Sequence, residues 1–146
     1  RKGNLVNVSS LAAEFPIPFM SAYNTAKAGL SAFSESLVIE SVGSDLKVLD
    51  LQLGDFKTDF NYSVVKNIDK NEIGVCAYAV WRRIKRRIST SPTPDAAADK
   101  LLRCIQREKR GLIRAGSIFQ VRLAPLFSRL IPRNIIRAIN ISYYVK

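Results

Sequence analysis

The 146-residue sequence contains no histidine, so neither a Ser-His-Asp triad nor a histidine-built metal site can be assembled from its residues. Cysteine is nearly as scarce. Cys76 and Cys104 stand apart, with no Cys-x-x-Cys pair, which excludes a cysteine-only zinc site and a disulfide framework. Buried or idle thiols are the expectation. No apolar run reaches the roughly 18 residues that suggest a membrane span. Arg1 and Lys2 lead straight into LVNVSS, without the apolar stretch or cleavage site of a signal peptide. The expectation is a chain entered in the middle of a fold, located in the cytoplasm or associated with a membrane.

What is present suffices for one modest domain. The chain is 47% hydrophobic and 24% charged, a balance that can bury a core. Its net charge of +11 is unevenly spread. Residues Arg1 to Trp81 hold 7 basic and 9 acidic residues, whereas Arg82 to Lys146 hold 16 and 3. A basic half of this kind is either a solvated face, a face paired with acidic residues elsewhere, or a surface that meets anions. Nucleic acid is the weakest of these readings, because no aromatic-basic interleaving or recognition motif accompanies the charge.

Strand and helix patterns alternate. Leu5 to Ser9 is a β-prone run ending at Ser10, and a loop with Pro16 and Pro18 follows. Ala22 to Glu40 reads as a helix, with Ala26, Leu30, Phe33 and Leu37 at helical spacing and Gly43 beyond its end. Its small residues Ala22, Ala26, Gly29 and Ala32 would allow close approach of a neighbour. Lys47 to Leu53 alternates like a strand, broken by Gly54 and Asp55, and Phe56 to Asn67 reads as loop. Glu72 to Ile88 is helical. Thr93, Pro94 and Asp95 mark the start of another helix as N-cap, first residue and first-turn acid. Leu112 to Ala115 is a short strand. Ile118 to Ile131 is apolar, with Arg122 and Arg129 in it and Pro125 kinking or breaking it, and a last helix-like segment ends at Tyr143-Tyr144. Such alternation indicates an α/β fold with a parallel sheet, although three strands are few for a doubly wound one.

Three residues carry chemistry when taken together. Tyr23 and Lys27 lie four apart, on one helix face near its start. Ser10 lies at the end of the preceding strand, where open α/β sheets bind ligands. A phenol is a poor base at neutral pH, but a neighbouring ammonium favours its phenolate form. A serine hydroxyl can then hold a substrate oxygen while the phenol moves a proton. Singly, each has a plainer reading: a strand-end serine is commonly a turn residue, and Tyr-x-x-x-Lys occurs on ordinary amphipathic helices.

The stretch GNLVNVSS, the loop, and SAYNTAKAGLSAFSESL together resemble the active-site segment of the classical short-chain dehydrogenases/reductases. The helix and strand that follow, through KVLDLQLGDFKTDF, are similar to that family's helix, strand and Pro-Gly-x-x-x-Thr turn, so the resemblance covers about residues 3 to 60 and continues more loosely beyond. It implies the C-terminal part of a doubly wound Rossmann-like sheet, with residues 1–146 forming the catalytic and substrate-binding half of an NAD(P)-binding domain. Ser10 would orient the substrate oxygen, Tyr23 would act as general acid/base, and Lys27 would bind the nicotinamide ribose and tune Tyr23. Gly54 and Thr58 fall on the turn that contacts the nicotinamide end of the cofactor in the family. The family's counterpart of helix 22–40 contributes to subunit contacts, which implies a homo-oligomer.

Two departures stand out. Leu53 replaces the usual proline, and the family's N-terminal half, with its glycine-rich phosphate loop and ribose-reading residue, has no counterpart here. NAD and NADP therefore remain equally open. The expected function is hydride transfer between nicotinamide and an alcohol or ketone, as part of a longer chain. The alternatives are an inactive remnant and a peripheral membrane-binding module. Phe60, Tyr62, Tyr78 and Trp81 hint at a lipophilic substrate, drawn from a pocket formed largely by Asn61 to Ser91. Ile118, Phe119, Val121, Leu123, Leu126, Phe127, Leu130 and Ile131, flanked by arginine, could lie in a lipid interface, form a substrate lid or make a subunit contact.

Overall fold

Three β-prone runs become one parallel sheet. The computed structural model describes residues 2–58, 75–123, 125–126 and 130–144. Strands β1 (Gly3–Ser10), β2 (Leu46–Leu53) and β3 (Gly111–Ala115) lie in the order β1-β2-β3. Ser10 pairs with Leu53, and Leu53 with Ala115, so the carboxyl ends of all three strands are level. Helix α1 (Ser21–Glu40) crosses from β1 to β2. Helices α2 (Val75–Ser89) and α3 (Pro94–Gln106) lie between β2 and β3, and α4 (Arg133–Tyr144) follows β3. Parallel strands require such crossovers, and helices then cover the sheet faces. The expected loop lies outside the described residues from position 59 onward, as do Phe60, Tyr62 and the first three residues of the expected Glu72–Ile88 helix.

One face of the sheet is apolar. Leu49 and Leu51 of β2 pack with Ile113, Ala115, Phe56, Ala97 and Cys104 in a single buried cluster. Cys104 is a buried free thiol. The other face of β2 carries buried polar side chains beside the buried Val48. Asp50 and Gln52 are buried rather than solvent-facing, because α1 covers their side of the strand. Ser9 Oγ donates to Asp50 Oδ1, and Ser31 Oγ donates to Asp50 Oδ2 at 2.6 Å. Gln52 Nε2 donates to Ser31 Oγ at 3.2 Å, and Asn7 Nδ2 donates to Ser34 Oγ at 2.9 Å. A buried polar group is costly unless paired, and this seam pairs most of its members.

The seam also rotates the expected face of α1. Ser34 is the buried residue of the helix, whereas Phe33 is 55% exposed and Ala26 is exposed. The apolar stripe Ala26-Leu30-Phe33-Leu37 is therefore only half turned inward. At α3, Thr93 holds the N-cap position with Pro94 behind it, but its hydroxyl makes no capping hydrogen bond. In the segment after β3 a π-helical turn spans Phe119–Leu123, and Ile118, Leu126 and Leu130 are exposed.

Candidate active site

The level strand ends form the floor of a cavity of about 730 Å3, within the size range of small-molecule sites. Ser10, Tyr23, Lys27, Gly54 and Thr58, the five residues singled out in the sequence, all line it.

Each is held by local structure. Ser10 ends β1 and caps the short 3-10 turn Leu11–Ala13, its Oγ accepting from Ala12 N–H at 3.1 Å. The same hydroxyl donates to the Leu53 carbonyl at 3.3 Å, a long bond that a ligand oxygen can replace. Ser10 is thus both a turn residue and a cavity donor. Tyr23 stands in the first turn of α1, whose entry is fixed by its neighbour Asn24. That amide donates to the Ile17 carbonyl at 2.8 Å and accepts from Ile17 N–H at 3.2 Å, closing the loop over the helix start. Phe19 in this loop has φ of 62°, a left-handed backbone that non-glycine residues rarely adopt and that tends to mark sites held by their surroundings.

Lys27 lies one turn on. Its Nζ donates to the Val8 carbonyl at 2.8 Å and sits 5.8 Å from the centroid of the Tyr23 ring. The helix face therefore delivers ammonium and phenol to the end of β1 together. An ammonium has three donors, so the bond to Val8 leaves capacity for ligand oxygens. Lys27 and Tyr23 fit the ribose end of a nicotinamide cofactor on this ground, with the Gly54–Thr58 turn beside them. Among the described residues there is no group of three or more His, Cys, Asp or Glu that could hold a metal ion.

Gly54 lets two side chains approach the backbone closely. A Cβ there would lie 2.6 Å from Gln120 Oε1 and 3.2 Å from Leu11 Cδ1. Gln120 and Asp55 were not legible as site residues, since 65 positions separate them. Gln120 Nε2 donates to Asp55 Oδ2 at 2.7 Å, and Arg87 of α2 pairs with the same carboxylate oxygen at 3.1 Å. Asp55 thereby ties α2 and the turn Phe119–Leu123 to the exit of β2. Leu53, standing where the related turn has proline, stays in the strand, and Gly54 N–H donates to the Ala115 carbonyl at 2.7 Å.

The walls are apolar. Phe15, Ile17, Met20, Trp81, Ile84 and Phe119 line the cavity. Trp81 thus meets the expectation of an aromatic wall, but Tyr78 is 44% exposed and is not among the lining residues.

Residues 1–69 match the family described as short chain dehydrogenase. Through this segment the chain is similar to the short-chain dehydrogenases. Dehydrogenase/reductase SDR family member 7B of Xenopus laevis is 28% identical over 118 residues, covering 81% of this chain and 34% of its own. A 3-ketodihydrosphingosine reductase of Bacteroides thetaiotaomicron is 32% identical over 74 residues, covering 49% and 28%. An NADPH-dependent 1-acyldihydroxyacetone phosphate reductase of Schizosaccharomyces pombe is 40% identical over 57 residues, covering 39% and 19%. The chain spans about a third or less of these curated relatives. A short chain dehydrogenase/reductase from Burkholderia phymatum, solved in complex with NAD, superposes with a TM-score of 0.72 at 17% identity, over 94% of this chain and 50% of that one. A short-chain dehydrogenase from Streptomyces avermitilis gives 0.65 at 22%, over 96% and 51%. These likenesses establish the fold: an α/β, Rossmann-like parallel sheet.

Proposed function

We propose that residues 1–146 are the catalytic and substrate-binding half of an NAD(P)-dependent oxidoreductase, acting within a longer chain on a lipophilic alcohol or ketone. The observation that carries this reading is the convergence of Ser10, Tyr23 and Lys27 on one cavity at the carboxyl end of the sheet. In the reductive direction, Ser10 Oγ donates to the substrate carbonyl oxygen and fixes its orientation. The Tyr23 hydroxyl gives that oxygen a proton as the carbonyl carbon becomes a carbinol, and reclaims one when the alcohol is oxidised. Lys27 holds ribose hydroxyls with the donors that its bond to the Val8 carbonyl leaves over. A bound nicotinamide supplies or accepts the hydride at the substrate carbon. Tyr23, Lys27, Gly54 and Thr58 form the cofactor-facing side. NAD and NADP remain equal candidates, because the residues that distinguish them in the family lie outside the matched segment.

The substrate class rests on the apolar walls, with support from two relatives whose names specify a ketodihydrosphingosine and an acyldihydroxyacetone phosphate. We further propose self-association through α1, where Ala22, Ala26, Gly29 and Phe33 form one exposed face. In the full-length enzyme, Tyr23→Phe should lower kcat by on the order of 10^2- to 10^4-fold, the usual contribution of a positioned acid/base, with cofactor affinity nearly unchanged. Normal turnover by that variant overturns the role given to Tyr23.

A further inference from the structure

Beyond Glu108 the sequence has eight basic residues and no acidic one. The same stretch presents an unusual density of exposed apolar side chains. Ile118 is 77% exposed, Leu126 56% and Leu130 73%, all of them turned away from the cavity. On α4, Ile135 and Ile139 lie four apart on one face and are 47% and 53% exposed, and Arg133 and Arg137, exposed as well, lie four apart on another face of the same helix. Large exposed apolar patches mark interaction surfaces. A protein partner would be expected to meet a rim of mixed charge, whereas this one carries a single sign.

We propose that this surface docks the chain on an anionic lipid bilayer. Apolar side chains enter the boundary between headgroups and acyl chains, while Arg122, Arg133 and Arg137 meet lipid phosphates. Charge complementarity selects the occupant: purely cationic and apolar features together match an anionic interface. The mode is interfacial, since no helix among the described residues is long and apolar enough to cross a membrane. Phe119 and Ile139 are exposed and also line the cavity, so the docked surface is continuous with the cavity mouth. A lipophilic ligand would reach the cavity from the bilayer without passing through water. The docking itself does not depend on the oxidoreductase reading.

Vesicle flotation tests it, because only lipid-bound protein rises while self-associated protein does not. The full-length protein should float with vesicles of mixed phosphatidylcholine and phosphatidylserine, and weakly or not at all with phosphatidylcholine alone. Replacing the cations (Arg122→Gln with Arg133→Gln) should cut the bound fraction roughly tenfold, and so should Ile118→Ser with Leu130→Ser, which changes only exposed positions outside the cavity lining. Circular dichroism and sizing establish that both variants are folded. Three results each overturn the proposal: native protein that stays at the bottom with anionic vesicles, flotation unaffected by the apolar pair, or an oligomer that the apolar pair dissolves while native protein never floats. The last assigns the surface to a second copy of the chain.

Discussion

Asp50 is the residue on which the packing of α1 turns. It is 3% exposed, and both its oxygens accept hydroxyls, from Ser9 of β1 and Ser31 of α1. Removing the carboxyl group strands the buried Ser9 hydroxyl and the half-buried Ser31 hydroxyl, and a buried donor left unpaired costs about 1–3 kcal/mol. Asp50→Ala should therefore destabilise the full-length protein by roughly 2–4 kcal/mol, read as a lowered midpoint in a denaturant titration. A change below about 0.5 kcal/mol, the usual size for surface substitutions, would mean that the seam does not hold α1 to the sheet. Gln52 Oε1, buried without a hydrogen-bond partner in the structure, shows that the seam is not fully satisfied and marks its weakest position.

At the scale of elements, the sheet and its site were legible to different degrees. The strand ends, α1 and the Tyr23-Lys27 face could be read because they rest on local patterns: β-prone runs, helical spacing and a breaker at Gly54. The buried side of β2 could not. Alternation of apolar and polar residues reads as one wet face, and only the crossover helix turns Asp50 and Gln52 inward. The serines that meet them, Ser31 and Ser34, look like ordinary helix residues in sequence. Asp55 was equally opaque, since its partners Arg87 and Gln120 come from two distant elements. It predicts a mechanical effect. Asp55→Asn weakens the charge pairing to α2, and Gly54→Ala displaces Gln120 Oε1. Either should loosen the turn Phe119–Leu123 and speed tryptic cleavage after the exposed Arg122, with KM for substrate rising more than kcat falls. Cleavage rates equal to the native protein's would show that this clamp does not hold the cavity wall.

Among the described residues β1 is an edge of the sheet, and on it Leu5 is 38% and Val8 43% exposed. An edge strand with exposed apolar residues is a template for pairing with further chain. Residues 1–146 alone should therefore elute larger than a monomer and melt without a sharp transition; a monomer with a cooperative melt would contradict this. We propose hydride transfer in this cavity under the control of Ser10, Tyr23 and Lys27. Its most direct measurement is deuterium transfer from cofactor labelled at the reactive nicotinamide carbon to a panel of long-chain ketones, using the full-length enzyme and its Tyr23→Phe variant. The expected result is deuterium on the carbinol carbon of the product with the native enzyme and almost none with the variant. Absence of label from every ketone tested, or equal labelling by the variant, would contradict it.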